Sequence, residues 1–262
     1  GGFATNLLTI TTNDATGLNF STWFSYPQYV GAFYAFFTYQ EFQGTGGADG
    51  TAFVIQNQAN PLTALGGGGG SLGYSGITPS VALELNIYNP NGIGMAFDAN
   101  GVIGPAPYAP TAPCPISSGN PIDIGILYLN GQASINFTDE VTLAIFSTNV
   151  LANIPSILGT NVATIGFTGA DGGVRSRQTV TNFVFIPFTG LTAKTTAGGA
   201  SVTLSWPSSI GGYVLQSNSN VNNSGGWTTV GAPVIVVSGQ NTVTVPASAG
   251  QVFYRLQLII IE

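Results

Sequence analysis

The chain has 262 residues, of which 44% are hydrophobic and only 5% are charged, with a formal net charge of −6. It can bury a sizeable core, and intrinsic disorder is excluded because disorder needs low hydrophobicity and high charge. Four basic residues are too few to neutralise a nucleic-acid backbone or to anchor a protein electrostatically on a membrane. The apolar stretches are far shorter than the ~20 residues of a membrane helix, so neither nucleic-acid binding nor membrane insertion is expected.

Short runs rich in Val, Ile, Phe, Tyr and Thr lie between Gly, Pro, Ser and Asn residues along the whole chain. This pattern predicts many short β-strands and an all-β sandwich or barrel. Only Val150–Leu158 suggests a short helical turn. Up to residue 187 the predicted strands are Leu7–Thr11, Ala32–Tyr39, Ala52–Gln56, Val81–Tyr88, Ile122–Tyr128, Ala133–Phe137, Val141–Ser147, Ala163–Thr168 and Thr179–Phe185.

A domain boundary is predicted at Ile186–Gly190, which separates domain 1–187 from domain 190–262. The second segment is small and rich in strand signals, which favours an immunoglobulin-like or fibronectin-like sandwich. Its predicted strands are Ser201–Trp206, Gly212–Ser217, Trp227–Val230, Thr242–Val245 and Val252–Leu258.

Sequence signatures of enzymes are weak. The chain has no histidine, so the Gly69–Gly73 match to the G-x-S-x-G motif of hydrolases lacks its base. The same glycine run matches G-x-G-x-x-G, but no helix follows it, as a dinucleotide site requires. The sequence does not exclude a pair of facing carboxylates of the kind that glycosidases use. The adjacent Asp139 and Glu140 would not form such a pair, because neighbouring residues of a strand point to opposite faces. We predict that the chain is not an enzyme.

The strand around Glu84 carries the first candidate site. Val81, Leu83 and Leu85 alternate with Glu84 and Asn86, so the two polar side chains share one face. A carboxylate on such a strand needs a cation or hydrogen bonds to offset its desolvation. Oxygen ligands without histidine or thiolate would suit calcium. The equally weighted alternative is that Glu84 is hydrogen-bonded within the sheet or faces solvent.

Three stretches together resemble an L-type (legume-type) lectin domain in its bacterial form. Gly47–Asn57 resembles the family's A-D-G-x-A-F strand, whose aspartate projects into the sugar site. Gly66–Tyr74 resembles the Gly-rich sugar loop, which precedes the metal strand. Ala163–Gly173 resembles the G-F-[ST]-A-x-T-G turn. The resemblance covers residues 3–187 and implies a jelly-roll-like sandwich without enzymatic activity.

The resemblance also implies site residues. A glycan would be surrounded by Asp49, Gly69, Gly70, Asn89 or Asn91, Gly169, Ala170, Asp171 and Gly172. A metal would be approached by Glu84, Asn86, the Tyr88 carbonyl and Asn91. The family's first metal aspartate is Asn86 here, and the metal histidine is missing. The expectation is therefore one calcium ion or none.

The C-terminal segment resembles a small structural module found at the ends of secreted bacterial proteins, on the basis of Val202–Pro207, Trp227 and Phe253–Leu256. The chain opens Gly1-Gly2-Phe3, which suggests a processed product. These features predict a secreted, cell-surface protein that binds glycans or acts as an adhesin.

The alternative prediction is a structural subunit of an extracellular filament or surface layer, with copies of the chain as partners. Lectin-type sandwiches of this kind have another strand before the one matched by Gly1–Ile10, so an open sheet edge is expected there. The β-prone run Leu256–Ile261 could fill that edge in a neighbouring copy, or could close its own small sandwich.

Overall fold

The computed structural model describes residues 6–42, 46–188, 190–208, 212–247 and 250–258. Contacts divide the chain into two compact units, Gly1–Phe188 and Thr189–Glu262. Nineteen strands and one short α-helix lie in the described ranges, which confirms the all-β prediction. None of the helices in these ranges has the length and apolar character needed to traverse a lipid bilayer.

The described residues of the larger unit form twelve strands. They are β1 (Leu7–Thr11), β2 (Asn19–Trp23), β3 (Gln28–Tyr29), β4 (Phe33–Glu41), β5 (Gly50–Gln56), β6 (Ser80–Asn86), β7 (Gly94–Ala99), β8 (Ile122–Leu129), β9 (Gln132–Asp139), β10 (Ile145–Leu151), β11 (Val162–Ala170) and β12 (Gln178–Pro187).

These strands form two antiparallel sheets. Sheet I has the order β1-β12-β4-β8-β9-β10, and sheet II has the order β2-β11-β5-β6-β7, with β3 also paired to β11. Most sheet neighbours are distant in sequence, such as β1 beside β12 and β5 beside β11. One buried apolar cluster takes side chains from both sheets, so the sheets face each other as a sandwich.

Alternation along the strands explains the core. In β8, Ile122, Ile124, Ile126 and Tyr128 are buried while the residues between them are half-buried or exposed. In β6 every residue is buried because both faces are covered. Its Val81, Leu83 and Leu85 join the core between the sheets, so Glu84 and Asn86 lie on the opposite face, away from that core. That opposite face holds the candidate site.

The helix α1 (Ile154–Leu158) lies within the segment predicted to hold a helical turn. Asn153 caps it, since its side-chain oxygen accepts a hydrogen bond from Ser156 N at 3.2 Å. Gly159, with a φ of 68°, ends it in the left-handed conformation that glycine adopts without penalty. The preceding strand was predicted too early, because Val141–Ala144 forms a turn and β10 begins at Ile145.

The smaller unit contains two antiparallel sheets of its own. Its strands are β13 (Thr192–Thr195), β14 (Ser201–Pro207), β15 (Tyr213–Asn218), β16 (Thr228–Thr229), β17 (Ile235–Val237), β18 (Gln240–Pro246) and β19 (Phe253–Leu258). A four-stranded sheet has the order β13-β14-β18-β17, and a three-stranded sheet has the order β16-β15-β19. Among the described residues of this unit, the buried apolar side chains are Leu204, Trp206, Leu215, Val243 and Val245.

Candidate functional site

Asp49 stands immediately before β5, at one end of sheet II. Its backbone N–H donates to Ala170 O at 3.1 Å, and its carbonyl accepts from Ile87 N at 2.9 Å. Gly50, the next residue, lies opposite Asn86 in the β5–β6 register. The peptide bond between Ala48 and Asp49 is cis. Asp49 is thus fixed between the end of β11 and the chain leaving β6.

The Gly-rich loop folds back on itself beside Asp49. Gly66 N donates to Gly73 O at 2.7 Å, and Gly73 N donates to Gly67 O at 2.8 Å. A single 3-10 turn at Gly69–Ser71 leads into Leu72, whose side chain is fully buried. Thr168 in β11 donates its hydroxyl to Leu72 O at 2.8 Å. The loop is therefore anchored to sheet II at its end and exposed at Gly67, Gly68 and Gly70.

Five of the predicted sugar-site residues converge. A Cβ built on Gly172 would lie 3.0 Å from Asp49 Oδ2 and 3.8 Å from Gly69 Cα. One built on Gly70 would lie 3.5 Å from Asn91 Nδ2 and 4.0 Å from Asp49 Oδ1. Glycine at these positions leaves the space beside the Asp49 carboxylate unfilled by side chains.

The other predicted residues take different places. Gly169 faces the interior, because a Cβ there would contact Ile10 and come within 3.0 Å of Gly50 O. Ala170 is buried, and its carbonyl helps to hold Asp49 in place by accepting the hydrogen bond from the Asp49 N–H. Asn89 is exposed at the start of a 3-10 turn that ends at Asn91. The structure thus favours Asn91 over Asn89 as the residue beside the Gly-rich loop.

Asp171 ties the site to the chain before β2. Its Oδ1 accepts from Leu18 N at 2.7 Å, and its own N–H donates to Leu18 O at 3.0 Å. Burial raises the pKa of the Asp171 carboxyl, against the lowering effect of the Leu18 and Gly17 amides and of Arg175. Asp171 therefore holds a loop beside the site and adds negative charge to it.

The Asp49 carboxyl is in an unfavourable electrostatic environment. Its side chain is only 6% exposed. Burial, and then the nearby charge of Asp171, raise the pKa of Asp49 to about 6. A buried carboxylate of this kind needs hydrogen-bond donors, and Asp49 Oδ2 has none in the described part of the chain.

Glu84 is fully buried and hydrogen-bonded by the protein itself. Its Oε2 accepts from the Tyr108 hydroxyl at 2.7 Å and from Gly104 N at 3.1 Å. Burial is the main cause that raises the pKa of Glu84 to about 7, and the charge of Asp98 on β7 adds to it. The predicted exposure of Glu84 to solvent is wrong, because the residue is fully buried. Oε2 is hydrogen-bonded, but its donors Gly104 and Tyr108 lie outside the strands and not within the sheet.

Asn86 uses its amide group to hold the turn that follows β6. Its Nδ2 donates to Tyr88 O at 3.0 Å and to Gly92 O at 2.7 Å. Tyr88 O also accepts from Asn91 N at 3.0 Å. Because both carbonyls can only accept, the atom facing them must be the amide nitrogen.

The residues implied as metal ligands fit calcium poorly. Calcium takes six to eight oxygen ligands. Glu84 Oε2 and the Tyr88 carbonyl each already accept two protein hydrogen bonds, which leaves Glu84 Oε1 and Asn86 Oδ1 on the β6 face. In the described ranges no group of three or more His, Cys, Asp or Glu residues could hold a metal ion.

Buried oxygens that accept no hydrogen bond concentrate in this region. Within the described residues, four of them are Asp49 Oδ2, Glu84 Oε1, Asn86 Oδ1 and Asp171 Oδ2. Such atoms are rare in folded proteins and mark places where a ligand or water donates a hydrogen bond or where a cation binds. At Asp49, the open oxygen Oδ2 can accept a hydrogen bond from a ligand.

Several contributors carried no sequence signal. Tyr108 and Gly104 lie in a Pro-rich segment without a motif, yet both bond Glu84. Asn19 on β2 donates its amide to Gly66 O at 2.8 Å and so steadies the Gly-rich loop. Leu18 acts through its backbone amide, which no side-chain pattern could reveal.

Solved structures with a similar backbone decide what kind of fold presents this site. The basic winged bean lectin with Tn-antigen is 19% identical, with a TM-score of 0.58, and the match covers 68% of this chain and 85% of that one. The chain has a legume-lectin-like fold. No protein-family model matches the sequence.

Two further structures support this legume-lectin-like fold. The lectin from Bauhinia forficata in complex with GalNAc is 19% identical, with a TM-score of 0.57 over 69% of this chain and 86% of that one. Lectin I-B4 from Griffonia simplicifolia, in its metal-free form, is 18% identical, with a TM-score of 0.58 over 68% and 86%. Identities this low establish the fold alone.

Proposed function

We propose that the legume-lectin-like unit binds a glycan at the end of sheet II without transforming it. The observation that carries the proposal is the Asp49 carboxylate, nine-tenths buried, with one oxygen lacking a donor and with glycines on the side where a ligand would enter. Sugar hydroxyls are hydrogen-bond donors of the kind that this carboxylate lacks. The similarity to lectins supports the same assignment.

The chemistry of the site suits a monosaccharide. The Asp49 carboxylate would accept hydrogen bonds from two ring hydroxyls, and the amide of Asn91 would donate or accept one more. Gly69, Gly70 and Gly172 would let a sugar ring approach the backbone closely, since none of them carries a side chain. Galactose and N-acetylgalactosamine are the first sugars to try, because similar lectins are described with GalNAc and galactose.

The direct test is isothermal titration of the purified chain with galactose and N-acetylgalactosamine, followed by a broad glycan array. Saturable binding that an excess of free sugar reverses would support the proposal. An absence of binding to every glycan on the array would refute it.

Glycan binding is expected to weaken as the pH falls. The ionised Asp49 carboxylate accepts hydrogen bonds on both oxygens, whereas protonation turns one of these oxygens into a donor, and the pKa of Asp49 is about 6. Ionisation drops from about nine-tenths at pH 7 to about one-tenth at pH 5, so affinity should fall roughly tenfold. Titration at several pH values measures this, with circular dichroism to show that the fold persists at pH 5. A flat affinity profile between pH 7 and pH 5 would contradict the role of the carboxylate.

We further propose a secreted, cell-surface setting in which glycan binding is adhesive and non-enzymatic. The low charge and the lack of histidine support this proposal.

A second candidate function is assembly into a filament or surface layer, and the smaller unit supports it. Ile235, Val236 and Val237 form the edge strand β17 and are 53–62% exposed. No charged residue lies anywhere in 212–247, so the charges that usually protect an edge strand are missing. The run Leu256–Leu258, considered from the sequence as a strand donated to a neighbour, pairs with Tyr213–Leu215 of its own unit, and residues 259–261 of that run lie outside the described residues.

Val236→Lys is expected to reduce self-association of the chain. A lysine on β17 would place like charges opposite each other if two copies paired along this edge. Light scattering and negative-stain electron microscopy at high protein concentration measure the effect. Val221→Lys, at an exposed loop position of the same unit, is the matched control and should assemble like the wild type. Assembly that is equal in both variants would exclude β17 as the joining edge.

A further inference from the structure

A turn beside the Asp49 site and a segment that packs against this turn are both attached to β6 through side chains on its outward face. The turn Asn89–Asn91 carries the asparagine that lies against Gly70. The segment Gly104–Tyr108 contacts the same turn, because Tyr108 N donates to Asn91 O at 3.1 Å. The groups that hold these two segments therefore fix the position of Asn91.

Both attachments are made by protein hydrogen bonds. Asn86 donates its two amide hydrogens to Tyr88 O and Gly92 O, which lie at the two ends of the turn Asn89–Asn91. Glu84 accepts from Gly104 N and the Tyr108 hydroxyl, at the two ends of the second segment. Asn86 and Tyr108 are 0% and 4% exposed, so water competes little for these bonds.

A divalent cation at this place would find Glu84 Oε1 and Asn86 Oδ1 free of hydrogen bonds, but for further ligands it would have to compete with the protein donors described above. The Tyr88 carbonyl has two lone pairs, and Asn86 Nδ2 and Asn91 N occupy both. Glu84 Oε2 is likewise occupied twice. Asp98 offers one more carboxylate near Glu84, yet the described residues supply no further acidic, histidine or cysteine ligand to complete a coordination shell.

We infer that the Asn86 amide and the Tyr108 hydroxyl replace a bound cation as the groups that fix the turn beside the Asp49 site and the segment packed against it. The site is therefore preorganised without calcium. The consequence for sugar affinity rests on the proposed glycan binding, whereas the consequence for stability does not.

The test compares thermal unfolding of the full chain in EDTA and in millimolar calcium. The wild type is expected to show the same Tm of the larger unit in both solutions. Asn86→Asp replaces the donating amide by oxygen facing two carbonyls, and should lower that Tm by roughly 5 °C in EDTA. Asn149→Asp, at an exposed position on β10, adds the same charge and should leave the Tm unchanged.

Two outcomes would overturn the inference. A wild-type Tm that calcium raises, or that EDTA lowers, would show that a cation holds these two segments. An N86D variant as stable as N149D in EDTA would show that the amide does not. Tyr108→Phe provides a second reading, since it removes only the hydroxyl bond to Glu84 and should lower the Tm equally in both solutions.

Glycan retention is then measured on the wild type in both solutions. Equal retention is expected, and retention that requires calcium would overturn the inference. If the chain retains no glycan, the proposed function fails while the unfolding experiment still decides how these two segments are held.

Discussion

Asp49→Asn should reduce glycan affinity by roughly 100-fold, because hydrogen bonds to a charged acceptor contribute about 1.5–3 kcal/mol each. Asparagine keeps the size of the side chain but replaces one accepting oxygen with a donor. The oxygen concerned is Oδ2, which lies beside Gly172 and accepts no hydrogen bond from the described residues. Isothermal titration with the best ligand from the glycan array measures the loss.

The thermal stability of the Asp49→Asn variant shows whether Asp49 serves binding or holds the structure together. Burial raises its pKa to about 6, so the stabilisation associated with its protonated form is lost as pH rises through 6. Asp49→Asn removes this ionisation, and at pH 7.5 its Tm should equal or exceed that of the wild type. Asp14→Asn, at an exposed aspartate, is the control and should keep full affinity. A D49N variant with wild-type affinity would remove Asp49 from the site.

Strands with strong hydrophobic alternation were predictable from the sequence. β8 was predicted nearly in full and β9 over its central part, Ala133–Phe137, since their buried residues recur at every second position. β2 and β7 were missed for different reasons. Gly94–Ala99 contains no β-branched residue, so its propensity for a strand is low. Asn19–Trp23 contains strand-favouring residues, but it is only partly buried and lacks the alternation of apolar and polar residues that marks a strand.

The strand predicted at Val141–Ser147 shows how a turn can override apolar residues. Asp139 Oδ1 accepts from Val141 N and Thr142 N, both at 2.9 Å, and so bends the chain directly after β9. Leu143 then adopts a φ of 60°, which a strand does not allow. Val141 and Leu143 are left exposed, and the strand begins four residues later than their hydrophobicity suggested.

The candidate site was predictable only where a motif was local. Asp49 and the Gly-rich loop come from short patterns, and the structure brings them together. The bond between Tyr108 and Glu84 spans 24 residues, and that between Leu18 and Asp171 spans 153. Contacts over such separations follow from the order of strands in the sheet, which the sequence pattern does not specify.

Phe37→Ala should destabilise the larger unit by about 3–5 kcal/mol, the usual cost of deleting a buried phenylalanine side chain. Phe37 is fully buried on β4 in sheet I. Its ring centroid lies 5.0 Å from that of Phe167 and 5.8 Å from that of Phe53, both in sheet II. The substitution would open a cavity between the sheets and lower the Tm of this unit by roughly 10 °C.

Differential scanning calorimetry measures this loss and also tests whether the two units unfold independently. The smaller unit has its own core around Trp206, so its transition should stay in place when Phe37→Ala lowers that of the larger unit. Phe24→Ala is the control, because Phe24 is 38% exposed and its removal leaves no buried cavity. If Phe37→Ala moves both transitions by the same amount, the chain unfolds as one cooperative body. The boundary near residue 188 would then divide the contacts into two groups, but the two units would not unfold independently.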